Sequence, residues 1–385
     1  MRIVEVQDQN PVEMLDERDV DIWRYCPHRL AVKIYLGCPY RCLHCPGRLK
    51  RRDYDKRILA VINAPIVLEH RLMSAKSHMQ PANLGFFSDP YQLAEEEIEL
   101  TRCVLEIFRK YEQPSFIITK SKLILRDLEI ISDLASKKLI AVVVPSSTID
   151  KNLRRFIEGR SPPFDEIIEF MHQLHEEKIP LVARIAPIYP FLTDDDNSLR
   201  EMIQAFADAG ASHITAGFLK VSKRFWRFLE EVFSRRFPDL IPKYRSLYFR
   251  RGVRSLSGLR LADSKYRYRK LSMLAQFCKQ NKLTFGTCKE GFFALHTNIC
   301  SGIRLRARYY PCLYDYWNLI VKRGAVSVDE AIHIARAYRV SGRYKWTLRR
   351  LWQEGTFFKE VNDITAKEHI EKGILYEVVS ADGKD

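Results

Sequence analysis

The sequence predicts an α/β protein in which six strands and their helices form a partial (β/α)6 barrel, followed by a mostly helical, basic extension. Three observations support this fold class. Short apolar, β-branched runs alternate with amphipathic stretches up to residue 218 of the 385 residues. Three cysteines directly follow the first apolar run. Beyond residue 218, basic and aromatic residues interleave.

The predicted strands and helices alternate as expected for a parallel sheet with right-handed crossovers. Strands are predicted at Leu30–Leu36, Asn83–Phe87, Ser115–Thr119, Leu139–Val144, Leu181–Ile185 and His213–Gly217. Helices are predicted near Leu93–Tyr111, Leu125–Lys137, Phe164–Lys178 and Asp194–Asp208. In a barrel of the TIM type, the loops after the strands share one rim, so side chains there are candidates for an active site.

Composition divides the chain into three parts. Residues 1–29 form a lead-in, residues 30–218 carry the barrel pattern, and residues 219–385 form the basic extension, which we expect to close the open side of the barrel and recognise substrate. The N-terminus lacks a signal-like apolar segment, and no stretch has the length of a membrane span. We therefore expect a cytoplasmic protein whose cysteines are metal ligands or redox groups rather than disulfides.

The first predicted strand is followed by a loop that carries Cys38, Cys42 and Cys45. Three thiolates at this spacing can ligate three irons of a 4Fe-4S cluster and leave the fourth iron open. An open metal position is typical of catalytic sites. A structural zinc site is the alternative, and it fits less well because structural zinc takes four ligands.

The cysteine loop resembles that of the radical S-adenosylmethionine (SAM) superfamily, although His44 stands where an aromatic residue is usual before the last cysteine. The stretches Gly85–Glu95, Ile117–Lys122 and Ile185–Pro190 narrow the resemblance to the spore photoproduct lyase-like branch, also described as DNA repair photolyase-like. That lyase has a hydrogen-donating cysteine near the first stretch. This chain has phenylalanines there, so the resemblance does not carry over the lesion-reversing chemistry.

The resemblance implies a lyase or transferase that binds S-adenosylmethionine at the open iron. Reductive cleavage would give methionine and a 5′-deoxyadenosyl radical, which abstracts hydrogen from a substrate. A low-potential electron donor such as ferredoxin or flavodoxin is implied as well. The cofactor supplies the difficult chemistry, while the protein positions it and excludes water.

Side chains on the predicted rim are candidates for orienting this cofactor. Ser88 and Asp89 are suited to its α-ammonium group, and Lys120 to its carboxylate or ribose hydroxyls. Ser146 could act likewise after the fourth strand, while Arg184 in the fifth strand lies near the expected place of the adenosyl group. For any one of these residues the alternative is an ordinary structural role in a turn. Their position on one rim favours a role in orienting the cofactor.

Cys288, Cys300 and Cys312 lie at intervals of twelve residues in the extension. They could gather a second, auxiliary iron–sulfur cluster, or one of them could act as a hydrogen donor or persulfide carrier. Three separate buried cysteines are the alternative, since free thiols are often buried.

A basic belt, residues 220–270, carries eleven Arg and five Lys against four acidic residues, within a chain of net charge +15. This excess predicts a polyanionic partner, and the interleaved aromatic rings suit stacked bases, so nucleic acid is the first candidate for the substrate. A peptide or a small anionic metabolite is a second candidate. A non-catalytic iron–sulfur protein that binds nucleic acid is the alternative to an enzyme.

Overall fold

The computed structural model describes residues 2–15, 25–51, 53–74, 80–253, 255–323, 326–337 and 342–353. Its strands are β1 (Arg2–Val6), β2 (Val12–Met14), β3 (Leu30–Val32), β4 (Tyr35–Leu36), β5 (Arg57–Val61), β6 (Ala82–Leu84), β7 (Ser115–Ile118), β8 (Ile140–Ser146), β9 (Leu181–Ile188), β10 (His213–Phe218), β11 (Ser255–Leu256), β12 (Leu259–Arg260) and β13 (Thr284–Thr287).

The α-helices of these residues are α1 (Pro46–Lys50), α2 (Ala64–Met73), α3 (Glu95–Ile98), α4 (Leu100–Lys110), α5 (Leu128–Ser136), α6 (Lys151–Ile157), α7 (Phe164–Glu176), α8 (Asp196–Asp208), α9 (Lys223–Arg236), α10 (Leu240–Phe249), α11 (Ser264–Gln280), α12 (Leu313–Arg323), α13 (Val328–Ala337) and α14 (Gly342–Gln353). Two 3-10 helices cover Lys122–Asp127 and Phe293–Leu295.

The main sheet confirms the predicted α/β fold and partial barrel. Its strand order is β13-β10-β9-β8-β7-β6-β3-β2, and every neighbouring pair is parallel except β2 and β3. Among the described residues its first and last strands do not pair, so the barrel is open. The sheet extends beyond the six predicted strands, because β13 pairs in parallel with β10 and β2 pairs with β3.

The first predicted strand, Leu30–Leu36, is divided into two strands in the structure. β3 stays in the main sheet, whereas β4 pairs antiparallel with β5 in a three-stranded sheet of order β1-β5-β4. Lys33 lies at the break, and its buried ammonium donates to Asp8 Oδ2 at 3.0 Å and lies 3.7 Å from Glu13 Oε2. A buried charge needs such partners, and turning the chain at this point supplies them.

The predicted helix Leu93–Tyr111 is also broken, at Glu99, which has a left-handed backbone conformation. The carboxylate of Glu95 then accepts hydrogen bonds from the backbone N–H groups of Thr101 at 2.8 Å and Arg102 at 3.2 Å. It satisfies donors at the start of α4 that have no partner within the helix.

Several later helices begin at a side-chain cap. Asp150, Asp195, Ser222 and Asp263 each accept a hydrogen bond from a backbone N–H of the helix that follows. Caps of this kind stabilise a helix by about 0.5–2 kcal/mol relative to alanine. They explain why α6, α8, α9 and α11 begin where they do.

Side chains along β8 alternate between two cores. Val142 and Val144 belong to the large core, whereas Ala141 and Val143 face a smaller cluster on the opposite side of the sheet. Leu305 of the extension is buried in that smaller cluster. The extension therefore covers the inner face of the open sheet. No helix in the described ranges is both long and apolar enough to cross a membrane.

Candidate active site at the strand ends

The loop that carries Cys38, Cys42 and Cys45 is held by its backbone. The Cys38 N–H donates to the carbonyl of Tyr54 at 3.0 Å, and the Cys45 N–H donates to the carbonyl of Cys42 at 3.2 Å. Gly37 enters the loop with φ +117°, and a Cβ there would lie 2.8 Å from the carbonyl oxygen of Tyr54. Only glycine fits this approach without strain.

The end of α6 and the segment that follows it contact the same loop. The Leu43 N–H donates to the carbonyl of Ile157 at 2.7 Å, and the Arg160 N–H donates to the carbonyl of Tyr40 at 2.6 Å. A Cβ on Gly159 would lie only 2.3 Å from the Tyr40 carbonyl oxygen. Backbone contacts thus fix the cysteine loop from two sides.

Burial raises the pKa of the Cys42 thiol to about 11, and it also raises those of Cys38 and Cys45. Cys42 interacts electrostatically with each of the other two thiols. Thiolates in this position therefore need a cation, which metal binding supplies. Three soft donors on one fixed loop fit an iron–sulfur cluster.

In the ranges that the structure describes, no three Cys, His, Asp or Glu side chains surround one point as ligands of a single ion. A cluster differs in this respect, because its ligands bind separate irons.

Ser88 and Asp89 follow β6 and tie neighbouring strand ends together. The Ser88 hydroxyl donates to the Tyr35 carbonyl at 2.7 Å. The Asp89 carboxylate accepts from the Thr119 hydroxyl at 2.7 Å and from the Lys120 N–H at 2.9 Å. Both side chains lie on the rim, as the sequence predicted, and these bonds are internal to the protein.

Lys120 and Ser146 are connected through Glu158 and Arg154, which were not predicted from the sequence. The Lys120 ammonium donates to Glu158 Oε2 at 2.7 Å, and the Ser147 N–H donates to Glu158 Oε1 at 2.6 Å. The guanidinium of Arg154 lies 3.1 Å from Glu158 Oε2 and donates to the Ser146 hydroxyl at 2.8 Å. All five side chains are buried.

This buried ionic group lies next to the cysteine loop, since the Cys42 Sγ lies 3.6 Å from the Glu158 carbonyl oxygen. Burial acts to raise the pKa of Glu158, but the charges of Lys120 and Arg154 outweigh it and hold the pKa at about 2. Glu158 is therefore ionised. A sequence signal did exist, because Arg154 and Glu158 have the four-residue spacing of a helical ion pair.

The Arg184 side chain instead lines a cavity of about 50 Å³ on the inner face of the sheet, called the interior cavity here. Its guanidinium donates to the Sγ of Cys288 at 2.9 Å. Cys300 and Cys26 also line the interior cavity. Cys312 is not among the lining residues; it is buried among apolar side chains of the extension.

The aromatic part of the basic belt differs from the prediction. Phe225, Trp226, Tyr244 and Tyr248 are buried together in one apolar cluster, so they cannot stack on bases. Their spacing was helical, and α9 and α10 turn these faces inward. The prediction of stacking by these rings is wrong. Arg254 lies outside the described residues.

A groove on the belt nevertheless combines charge with an exposed ring. The belt groove has a volume of about 720 Å³, and its lining includes Phe191, Lys243, Arg250, Lys265 and Tyr266. Phe191 is 41% exposed, its ring lies 5.2 Å from that of Tyr266, and the Lys243 ammonium lies 5.7 Å from its centre.

The belt groove is connected to the cysteine loop through the chain that follows β9. The Tyr189 hydroxyl lies 3.4 Å from Nδ1 of His44, the residue between Cys42 and Cys45. Phe191 lies two residues beyond Tyr189. The groove and the thiols therefore lie on adjoining parts of the rim.

The fold and the cysteine loop are compatible with the radical SAM superfamily. A solved structure of spore photoproduct lyase complexed with dinucleoside spore photoproduct is similar with a TM-score of 0.58 and 12% identity, over 74% of this chain and 81% of that one. A mutant of that lyase, with bound AdoMet and the dinucleoside, also has a TM-score of 0.58. The predicted resemblance is thus confirmed at the level of fold.

Two curated relatives extend the comparison in sequence. An uncharacterised protein of Mycobacterium tuberculosis is 29% identical over 236 residues, which cover 59% of this chain and 68% of that protein. An uncharacterised protein of Methanocaldococcus jannaschii is 28% identical over 208 residues, which cover 53% of this chain and 76% of that protein. No family model matches the chain.

Proposed function

We propose that this protein is a radical SAM enzyme that binds a 4Fe-4S cluster through Cys38, Cys42 and Cys45. The observation that carries the proposal is the position of these thiols, on a fixed loop at the strand-end rim of a sheet with the fold of spore photoproduct lyase. Such a cluster, when bound with S-adenosylmethionine, supplies one electron for reductive cleavage to a 5′-deoxyadenosyl radical. A low-potential donor such as ferredoxin or flavodoxin would provide that electron.

The residues around the loop have distinct roles in this proposal. The three thiolates bind the cluster, and the buried Lys120 ammonium places a positive charge near Cys42. Ser88 and Asp89 fix the strand ends beside which the cofactor would lie. Ser146 supports the same region through Arg154. Arg184 is engaged by Cys288 instead, so we assign it to the interior cavity.

The test is production of 5′-deoxyadenosine by the anaerobically reconstituted protein with dithionite and S-adenosylmethionine. The wild type should form it, and Cys42→Ala should reduce it at least about 100-fold because a ligand is lost. Cys103→Ala, an exposed helical cysteine, is the matched control and should keep wild-type activity. Wild-type protein that binds its iron but forms no 5′-deoxyadenosine would favour the non-catalytic alternative.

We further propose that the substrate is a nucleic acid whose strand lies in the belt groove. Lys243, Arg250 and Lys265 provide phosphate contacts there, and the exposed ring of Phe191 provides a surface for an unpaired base. The groove is open enough to admit a polymer, which favours nucleic acid over a small anionic metabolite. Its charge disfavours a basic or neutral peptide.

Binding of a mixed-sequence single-stranded RNA, measured against salt concentration, tests this substrate class. The triple variant Lys243→Gln, Arg250→Gln and Lys265→Gln should lower the slope of log K against log salt by about 2, at about 0.7 per phosphate contact on a single strand. The matched control is the triple variant Lys110→Gln, Lys137→Gln and Lys279→Gln. It changes three exposed lysines near the C-terminal ends of helices, each of which is followed by a strand. Equal effects of the two triples would remove the groove as the binding site.

A further inference from the structure

Three thiols that the cysteine loop does not use line the interior cavity. Cys26 comes from the lead-in, Cys288 follows β13, and Cys300 precedes the segment that covers the inner face of the sheet. Each has an electrostatic interaction with the other two. The fold therefore assembles a second group of three cysteines from distant parts of the chain.

Each of these cysteines is anchored by its backbone to a different element. The Cys288 N–H donates to the Ala216 carbonyl at 2.7 Å, and the Thr215 hydroxyl donates to the Cys300 carbonyl at 2.5 Å. The buried Arg29 donates to the Cys26 carbonyl at 2.8 Å and also to the extension, at the carbonyl of Pro311. Their positions are thus set by the fold.

The strands beside these cysteines carry glycines at the points of approach. A Cβ on Gly286 would lie 3.0 Å from the Cys300 Cα, and a Cβ on Gly217 would lie 3.3 Å from the Cys288 Cβ. Larger residues would displace the cysteines. The two glycines allow both thiols to line the same cavity.

The charges of the interior cavity suit thiolate ligands. Arg184 is partly buried, and its guanidinium donates to the Cys288 Sγ at 2.9 Å and interacts with Cys300 and Cys26. The residues that line the cavity include no Asp or Glu. Hydrogen bonds and positive charge at the sulfurs are what the protein uses to stabilise metal-bound thiolates.

We propose that Cys26, Cys288 and Cys300 bind a second iron–sulfur cluster in the interior cavity, separate from the one on the cysteine loop. The lining of this one cavity supplies three thiols from three separate segments of the chain. A single zinc ion fits less well, because the described side chains form no three-ligand group around one point. The structure thus puts Cys26 in the place that the sequence analysis gave to Cys312.

Iron and sulfide counts after anaerobic reconstitution test this proposal independently of SAM cleavage. Wild type should bind about eight irons, and a loop variant with Cys38→Ala, Cys42→Ala and Cys45→Ala should keep about four. The electron paramagnetic resonance spectrum of the reduced loop variant should show one cluster. A folded loop variant without iron would overturn the proposal while leaving the function of the loop untouched.

A reciprocal variant identifies the ligands and reports on folding. Cys26→Ala, Cys288→Ala and Cys300→Ala together should remove about four irons and keep the four of the loop, whose presence shows that the protein folds. The matched control, Cys278→Ala with Cys312→Ala, should keep about eight. Loss of four irons in that control instead would assign Cys312 to the cluster and overturn the assignment of Cys26.

Discussion

The loop thiols and the cavity thiols differ in how the chain brings them together. Cys38, Cys42 and Cys45 share one loop, and local backbone hydrogen bonds fix it. Cys26, Cys288 and Cys300 meet only because β13 joins the sheet and the lead-in is bound to the extension through Arg29. Sequence spacing can therefore reveal the first group, whereas the second requires knowledge of the topology.

The two groups also differ in their charged neighbours. The loop lies beside Lys120 and Arg154, which are balanced by the buried carboxylate of Glu158. The cavity thiols lie beside Arg184, whose guanidinium donates to the Cys288 thiol. The charges beside the loop are thus balanced by Glu158, while in the cavity the Arg184 guanidinium is paired with a cysteine side chain.

The largest expected effect on stability comes from removing the buried carboxylate beside the cysteine loop. Glu158→Gln should lower the free energy of unfolding by about 3–5 kcal/mol, because it leaves two buried cations without their anion. Urea unfolding of the full chain measures this change. Glu129→Gln removes an exposed partner of Arg109 and should cost less than about 1 kcal/mol. Similar losses in the two variants would show that the buried group does not support the loop.

A smaller effect is expected beside the interior cavity, from the buried imidazole of His296. Nε2 of His296 accepts a hydrogen bond at 2.9 Å from the N–H of Thr287, the residue before Cys288. Burial, together with the nearby His213, lowers the pKa of His296 to about 3. Its pKa in the unfolded chain is about 6.5, so the unfolded state binds more protons below that pH and stability falls as the pH decreases from 6.5 towards 3.

This linkage amounts to about 2 kcal/mol between pH 7 and pH 5. His296→Gln should therefore lose less stability than wild type over this range, as measured by urea unfolding at both pH values. His172→Gln, at an exposed position on α7, should keep the wild-type pH profile. An unchanged profile in His296→Gln would mean that this imidazole is not held neutral beside the cavity.

The local features of the fold were predictable from the sequence. The alternation of apolar runs and amphipathic helices gave the sheet from β6 to β10, and the loop cysteines and Ser88–Asp89 followed from their places at strand ends. The break at Lys33 was not predictable, because an apolar run containing one lysine reads as a strand until its carboxylate partners are known.

The aromatic residues of the belt illustrate a related limit. A stretch in which aromatic and arginine residues interleave can form either a binding surface or an amphipathic helix. The amino-acid composition is the same in both cases and does not distinguish them. Trp226 and Tyr244 are buried because α9 and α10 pack their apolar faces together. Phe191, which is exposed beside the belt groove, lay outside the stretch that composition had marked.

The class of fold, the loop of three thiols and the excess of positive charge were predictable from the amino-acid sequence, because they depend on residues close together in the chain. The packing of the chain was needed to show that Glu158 neutralises Lys120, that Arg184 contacts Cys288, and that Cys26 rather than Cys312 lines the interior cavity. The reason is physical: burial and charge pairing depend on which strands and segments become neighbours, and that order is set by the packing of the whole sheet.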